Sequence, residues 1–381
     1  MKQRLFTPGP TPVPESVVQR MTEPIIHHRS QEFSQVFQEV TEGLKYLFQT
    51  AQEVLTLTTS GTGGMEAAVV NLLSSGETAL VVEGGKFGQR WSEICRAYGV
   101  QVEPIMVPWG EAVTPQEVVT RLKRLSKVRA VFLTHSETST GVATDIEEVA
   151  RVVREHSDAL IVVDGISAVG ALPMKMDAWG LDLVVSASQK GLMLPPGLAF
   201  VAVGSRAWNQ VKKANLPRYY LCFQKARDAL ARGTTAFTPA ISLILGLQQA
   251  LRMIQKRGLE QLWRDHQIMA EAIRKGITAL GLELFAKSPS NALTAVRLPQ
   301  GLDGKVLLSR LKEDFGITIA GGQGPLKGKI FRIGHVGYFD PLDAIAILSA
   351  LETTLKKLGW NFEPGQGLRA AQMVFSENCR T

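Results

Sequence analysis

Between residues 54 and 203, short apolar and β-branched runs alternate with amphipathic stretches. The runs at 54–58, 78–82, 102–107, 130–134, 159–164, 181–186 and 198–203 predict strands, and the stretches at 65–73, 88–98, 115–125 and 146–155 predict helices between the earlier ones. Thr114 supplies an N-cap for the third helix and Pro115 its first residue, where a missing N–H leaves no bond unmade. Unbroken apolar runs such as Leu160, Ile161, Val162, Val163 suit strands buried on both faces, and therefore a parallel sheet covered by helices. From Pro239 the period lengthens, predicting helices at 240–256 and 259–280, short strands near 292–298 and 329–333 around a helix at 305–315, and a last helix at 341–358. This order predicts an α/β chain: a large, mainly parallel-sheet domain followed by a smaller α+β domain. The boundaries fall at an N-terminal arm over 1–20, a large domain over 21–255, a small one over 256–360 and a tail over 361–381 that reads as polar and irregular.

Composition narrows the field. The 381 residues are 45% apolar and 20% charged, as in ordinary globular proteins. No apolar run approaches the roughly 20 residues of a spanning helix, and the first ten residues lack the apolar core of a signal peptide, so a cytoplasmic location is expected. Cys95, Cys222 and Cys379 show neither CxxC nor Cys/His spacing, which supports no disulfide framework and no metal site. The net charge is +7, and seven Lys or Arg between Arg206 and Arg232 face only Asp228. Without a binding motif or interleaved aromatics, this stretch reads as a solvated or small-anion-attracting face, not a nucleic-acid surface.

Three segments could carry chemistry. Residues 58–71, TTSGTGGMEAAVVN, run from a strand through glycines into a helix, which offers open N–H groups and hydroxyls to a phosphate. The spacing is not a dinucleotide fingerprint, because Glu66 stands where the third glycine belongs. Asp164 ends the 159–164 strand, and open parallel sheets bind ligands beyond the carboxyl ends of their strands. Lys190 follows the 181–186 strand among small residues and precedes a Gly/Pro turn, a setting in which a desolvated amine can attack a carbonyl. A phosphate loop, an acid and a lysine at successive strand ends match an aldehyde bearing a phosphate and a basic ring nitrogen. Pyridoxal phosphate is such a molecule.

At this point the chain resembles the class V aminotransferases of the fold type I pyridoxal-phosphate superfamily, and among them the alanine:glyoxylate and serine:glyoxylate enzymes. The likeness rests on residues 8–14 (PGPTPVP), 28–30 (HRS), 60–62 (SGT), 87–90 (FGQR), 134–141 (THSETSTG), Asp164, 188–190 (SQK) and 328–334 (GKIFRIG). It implies Lys190 as the Schiff-base lysine and Asp164 as the partner of the pyridine nitrogen. Ser60, Gly61, Thr62 and Gln189 take the phosphate-side positions, Thr138 lies near the ring hydroxyl, and Phe87 stacks on the ring. Arg332 takes the substrate carboxylate, with Gly9 close by. The 233–240 loop resembles one that reaches a neighbouring subunit's phosphate, through Thr238 or else Thr234 or Thr235, which implies a homodimer.

The resemblance further implies transamination between a small L-amino acid, alanine or serine, and a 2-oxo acid, glyoxylate or pyruvate. Alternatives are an aspartate or aminoethylphosphonate aminotransferase, a lyase, a cysteine desulfurase using Cys222, or a subunit that keeps only the scaffold. Lys190 and Asp164 would be superfluous in the last.

Overall fold

In the computed structural model, residues 2–378 are described. The apolar runs assemble into a seven-stranded sheet in the order Glu53–Leu57, Ala199–Val203, Leu183–Ala187, Leu160–Asp164, Ala130–Thr134, Thr78–Glu83, Gln101–Met106. All neighbours are parallel except Ala199–Val203, which runs antiparallel to both strands beside it. Side chains alternate between two covered faces. Leu80, Val82, Val131, Leu133, Ile161 and Val163 pack against one set of helices, while Ala79, Val81, Phe132 and Val162 pack against the other. The chain passes from Thr78–Glu83 outward to Gln101–Met106 and then returns to the opposite side at Ala130–Thr134. The crevice beyond the strand ends at such a reversal is where open sheets take their ligands.

A second sheet pairs Ile330–Gly334 antiparallel with Leu293–Arg297 and with Ala320–Gly321, which puts Arg332 on its central strand. Helices Leu259–Ala279, Gly304–Phe315 and Pro341–Lys357 cover it through Ile273, Ile277, Leu307, Leu311, Ile347 and Leu351. The N-terminal segment connects the two regions. Arg4–Leu5 pairs with Ile317–Thr318, Gly334 N donates to Phe6 O at 2.6 Å, and the chain then runs through the cis Gly9–Pro10 peptide toward Lys190.

Several elements depart from the sequence reading, among them helices Glu15–Met21, Ser205–Val211 and Phe223–Leu230, and two further ones are long. Helix Gln31–Phe48 had no counterpart in the strand-and-helix pattern, yet the Ser30 side chain accepts from Phe33 N, and Phe33, Val36, Phe37, Val40, Leu44 and Leu47 are buried along one face. The stretch after Asn361 is not irregular either, because Gln366–Asn378 forms a helix with Ala371, Val374 and Phe375 buried. Its start is held by Glu352, whose oxygens accept from Gly365 N at 2.7 Å and Leu368 N at 3.0 Å. A buried carboxylate on another helix thus takes up N–H groups that would otherwise lack partners. Cys379, at the far end of that tail, lies outside the described residues.

Part of the basic stretch is engaged locally, while Lys212, Lys213, Lys225 and Arg232 are exposed. Arg218 donates to the carbonyls of Val70, Val211, Ala214 and Leu216, and Arg227 pairs with Glu53 over the Trp208 ring. Among the described residues no helix is long and apolar enough to cross a membrane, and no group of three His, Cys, Asp or Glu could hold a metal ion.

Candidate active site

Beyond the strand ends lies a cavity of about 250 Å³ lined by Gly9, Ser60, Gly61, Thr62, Phe87, Thr138, Asp164, Gln189 and Lys190, together with Arg90, Ile166 and Ser167. Residues far apart in sequence therefore meet where the sheet topology reverses. A larger apolar cleft of about 550 Å³ lies elsewhere, beside His266, His335 and Phe339, and contains none of these groups.

Each side is built by a different element. The glycine-rich helix begins at Gly61, four residues before the sequence reading placed it, so Ser60 is the N-cap. Helix propensity disfavours glycine here, but tertiary contact favours it: a Cβ at Gly61 would stand 2.7 Å from Ile166 Cδ1 and 3.1 Å from Ala187 Cβ. The first ring-forming bond is Gly64 N to Ser60 O, and the Ser60 side chain caps nothing. The N–H groups ahead of Gly64, with the Ser60 hydroxyl beside them, form an anion site.

Asp164 and Lys190 are both buried, at 3% and 8% exposure. Burial pushes the Asp164 carboxyl up to about 7, against the Ile166 N–H that its Oδ1 accepts at 2.9 Å. Among the described residues that is its one hydrogen bond, which leaves Oδ2 to take a further donor. Burial likewise pulls the Lys190 ammonium down to about 8, opposed by Asp164. Nζ donates to the Pro8 carbonyl, so the N-terminal segment closes over the lysine. Gly9 has φ +145°, and a Cβ there would collide with the Lys190 side chain. Glycine satisfies both the conformation and the close approach.

Phe87 stands one residue inside helix Lys86–Ala97, with the Arg90 guanidinium 4.7 Å above its ring. Arg90 Nη1 also donates to Thr62 Oγ1 at 3.1 Å, so ring and phosphate loop are joined. Thr138 Oγ1 lies 2.6 Å from Ser167 Oγ. Gln189 Oε1 is buried with no partner, a cost relieved by any donor entering the cavity.

Two assigned residues do not line this cavity. Arg332 stands behind it, buried, with Nε and Nη2 donating to Gly321 O at 3.0 and 2.7 Å and Nη1 donating to Thr138 O at 2.8 Å. Three of five N–H donors are thus used, and two remain. Burial lowers its pKa to about 10, so it is charged at neutral pH. Thr238 is exposed on the 233–240 loop, while Thr234 donates to His28 O at 2.8 Å and Thr235 to Phe237 O at 2.7 Å. Of the three, Thr238 is the one whose hydroxyl makes no hydrogen bond within the described chain. Cys222 stands at the N-cap position of helix Phe223–Leu230 without a side-chain capping bond, and it does not line the cavity.

The sequence reading gave no role to Arg90, Ser167 or Glu137. Arg90 could have been noticed one helical turn after Phe87. Ser167 and Glu137 depend on contacts that no local pattern shows.

Pyridoxal phosphate fits this donor set. The open N–H groups at the start of Gly61–Leu72 suit an anion, Asp164 Oδ2 suits a protonated ring nitrogen, and Lys190 is an amine with a depressed pKa.

The family model described as Aminotransferase class-V matches residues 4–328. A "Soluble hydrogenase, small subunit" of Synechococcus sp. is 48% identical over 98% of this chain and 99% of its own length. The L-aspartate–glyoxylate aminotransferase of Paracoccus denitrificans is 36% identical over 97% of this chain and 95% of its own. Among solved structures, ureidoglycine–glyoxylate aminotransferase from Bacillus subtilis superposes with a TM-score of 0.95 at 29% identity, covering 99% of this chain and 98% of that one.

Proposed function

The chain belongs to the class-V aminotransferases, and from that premise we propose that it transfers the amino group of a small L-amino acid, alanine or serine, to glyoxylate or pyruvate. The observation that carries the reading is the meeting of Lys190, Asp164 and the open helix start at Ser60 in one cavity. Pyridoxal phosphate is the cofactor; when bound it supplies the aldehyde that takes up an amino group and a ring that draws electrons from the substrate's Cα.

Ser60, Gly61, Thr62 and Gln189 hold its phosphate side, Asp164 keeps a proton on the ring nitrogen, Thr138 meets the ring hydroxyl, and the Phe87 ring stacks on it. Lys190 Nζ would hold the cofactor's aldehyde carbon, and as a free amine it would take up the proton from the substrate's Cα. Its depressed pKa suits this role, because a base must be unprotonated at working pH. The two remaining N–H donors of Arg332 take the substrate carboxylate, with Gly9 beside it, and three bonds to fixed carbonyls keep the fork from turning. The exposed Thr238 reaches the phosphate of a second copy, which makes the active form a homodimer, and its place of action is the cytoplasm. In this reading the cofactor-binding domain spans 21–255 and the smaller domain begins at 256; the expected boundary at 360 moves outward, because helix Gln366–Asn378 adds Ala371, Val374 and Phe375 to the smaller domain's core.

The name carried by the Synechococcus relative points to a subunit of another assembly. A subunit that had kept only the scaffold would not need a buried lysine and acid facing one cavity. The test is direct: purified protein supplied with pyridoxal phosphate should form glycine from glyoxylate with L-alanine or L-serine, or alanine from pyruvate with L-serine, together with the matching 2-oxo acid. Absence of both glycine and alanine in these pairings overturns the reading.

A further inference from the structure

Glu137 is 4% exposed and has no ion-pair partner among the described residues, yet its carboxylate is fully used. Oε2 accepts from Phe87 N and Gly88 N, both at 3.0 Å. Oε1 accepts from Ser139 N at 3.1 Å and Ser139 Oγ at 2.5 Å, and Ser139 Oγ in turn accepts from Lys86 N at 3.0 Å. Helix Lys86–Ala97 starts from Gly85, which has no side chain to cap it. A Cβ at Gly85 would intrude on the Glu137 side chain and stand 2.5 Å from Ser139 Oγ. An acid from another segment therefore does the capping, at the helix end where negative charge is favoured.

The position of this acid connects two sides of the site. Thr138, between Glu137 and Ser139, lines the cavity, and its carbonyl accepts from Arg332 Nη1 at 2.8 Å. Phe87, held through its backbone N–H, presents its ring to the same cavity. We infer that Glu137 is a positioning residue whose carboxylate sets the Phe87 ring and the Thr138–Arg332 pair in register across the cavity, an inference that rests on the aminotransferase reading.

Glu137→Gln tests it with almost no change of shape. Either orientation of the amide turns an N–H₂ donor against backbone N–H donors, toward Phe87 and Gly88 or toward Ser139, so one half of the clamp is lost. Because both the ring and the arginine depend on the clamp, apoprotein titrated with pyridoxal phosphate should bind about tenfold more weakly, and KM should rise for amino acid and oxo acid together. Ser139→Ala, a milder change certain to leave the carboxylate in place, should move both readouts the same way by about threefold. A lowered Tm with unchanged cofactor affinity and unchanged KM in both variants means the acid only stabilises the fold, and overturns the inference. Should Glu137→Gln not fold, Ser139→Ala alone decides. Wild type that binds no pyridoxal phosphate fails the functional reading instead, so the two failures are distinguishable.

Discussion

Arg332 donates from Nη1 to the backbone carbonyl of Thr138 at 2.8 Å, which ties the central strand of the small sheet to the loop after Ala130–Thr134. The arginine therefore has a structural duty as well as its proposed one. Arg332→Lys keeps the charge and loses the fork, so Tm should fall and, in the protein that remains folded, kcat/KM should fall about 10- to 150-fold for every substrate. Cofactor affinity should change little. A lowered Tm with normal kcat/KM contradicts the carboxylate assignment.

Asp164 gives stability a distinctive pH dependence. Its folded pKa is about 7, against about 4 for an unperturbed Asp, so between these values the folded apoprotein holds a proton that the unfolded chain has released. Stability from this group is present below about pH 4 and is lost as pH rises toward 7. Asp164→Asn removes the dependence, and its Tm advantage over wild type should grow across that window in apoprotein. Lys190 acts in a separate window, with a folded pKa of about 8. A Tm difference that stays flat from pH 4 to 7 sinks the account of a desolvated acid.

Phe87 should matter to the cofactor more than to the fold, because its ring is half-buried at the cavity edge under Arg90. Phe87→Leu keeps apolar bulk and removes the aromatic face, worth about 0.5–1.5 kcal/mol. Pyridoxal phosphate affinity should weaken about 2- to 10-fold, by titration of apoprotein, with Tm nearly unchanged. Equal affinity in the two proteins rejects the stacking role.

Thr238 makes no side-chain bond within its own described chain, whereas Thr234 and Thr235 do. Thr238→Ala should weaken cofactor binding, and sedimentation of the active wild type should show a dimer. A fully active monomer at assay concentration would show that no second copy completes the phosphate site.

The sheet was legible because strands buried on both faces need unbroken apolar runs, and those runs fall within one or two residues of Leu160–Asp164, Leu183–Ala187 and their neighbours. Helix starts were less legible. Gly61, Gly63 and Gly64 lower the helix propensity of the first turn, and the close approach of Ile166 and Ala187 that favours glycine at 61 is a tertiary fact. Helix Gln31–Phe48 was readable from the Ser30 cap and the spacing of Phe33, Val36, Phe37 and Val40, a signal that the strand-and-helix alternation further on obscured. The site residues with a strand-end or glycine-loop position could be named in advance. Glu137 could not, because its contact joins Phe87 to a residue 50 positions on, whereas Arg90 stands one helical turn after Phe87 and was within reach of the pattern.

The central claim is that Lys190 holds pyridoxal phosphate covalently at the resting site. Protein incubated with pyridoxal phosphate, reduced with borohydride, digested and weighed by mass spectrometry should carry the pyridoxyl mass on the peptide containing Lys190, and Lys190→Ala should carry none there. Lys190 unmodified in wild type, or label spread over surface lysines alike in both proteins, would contradict it.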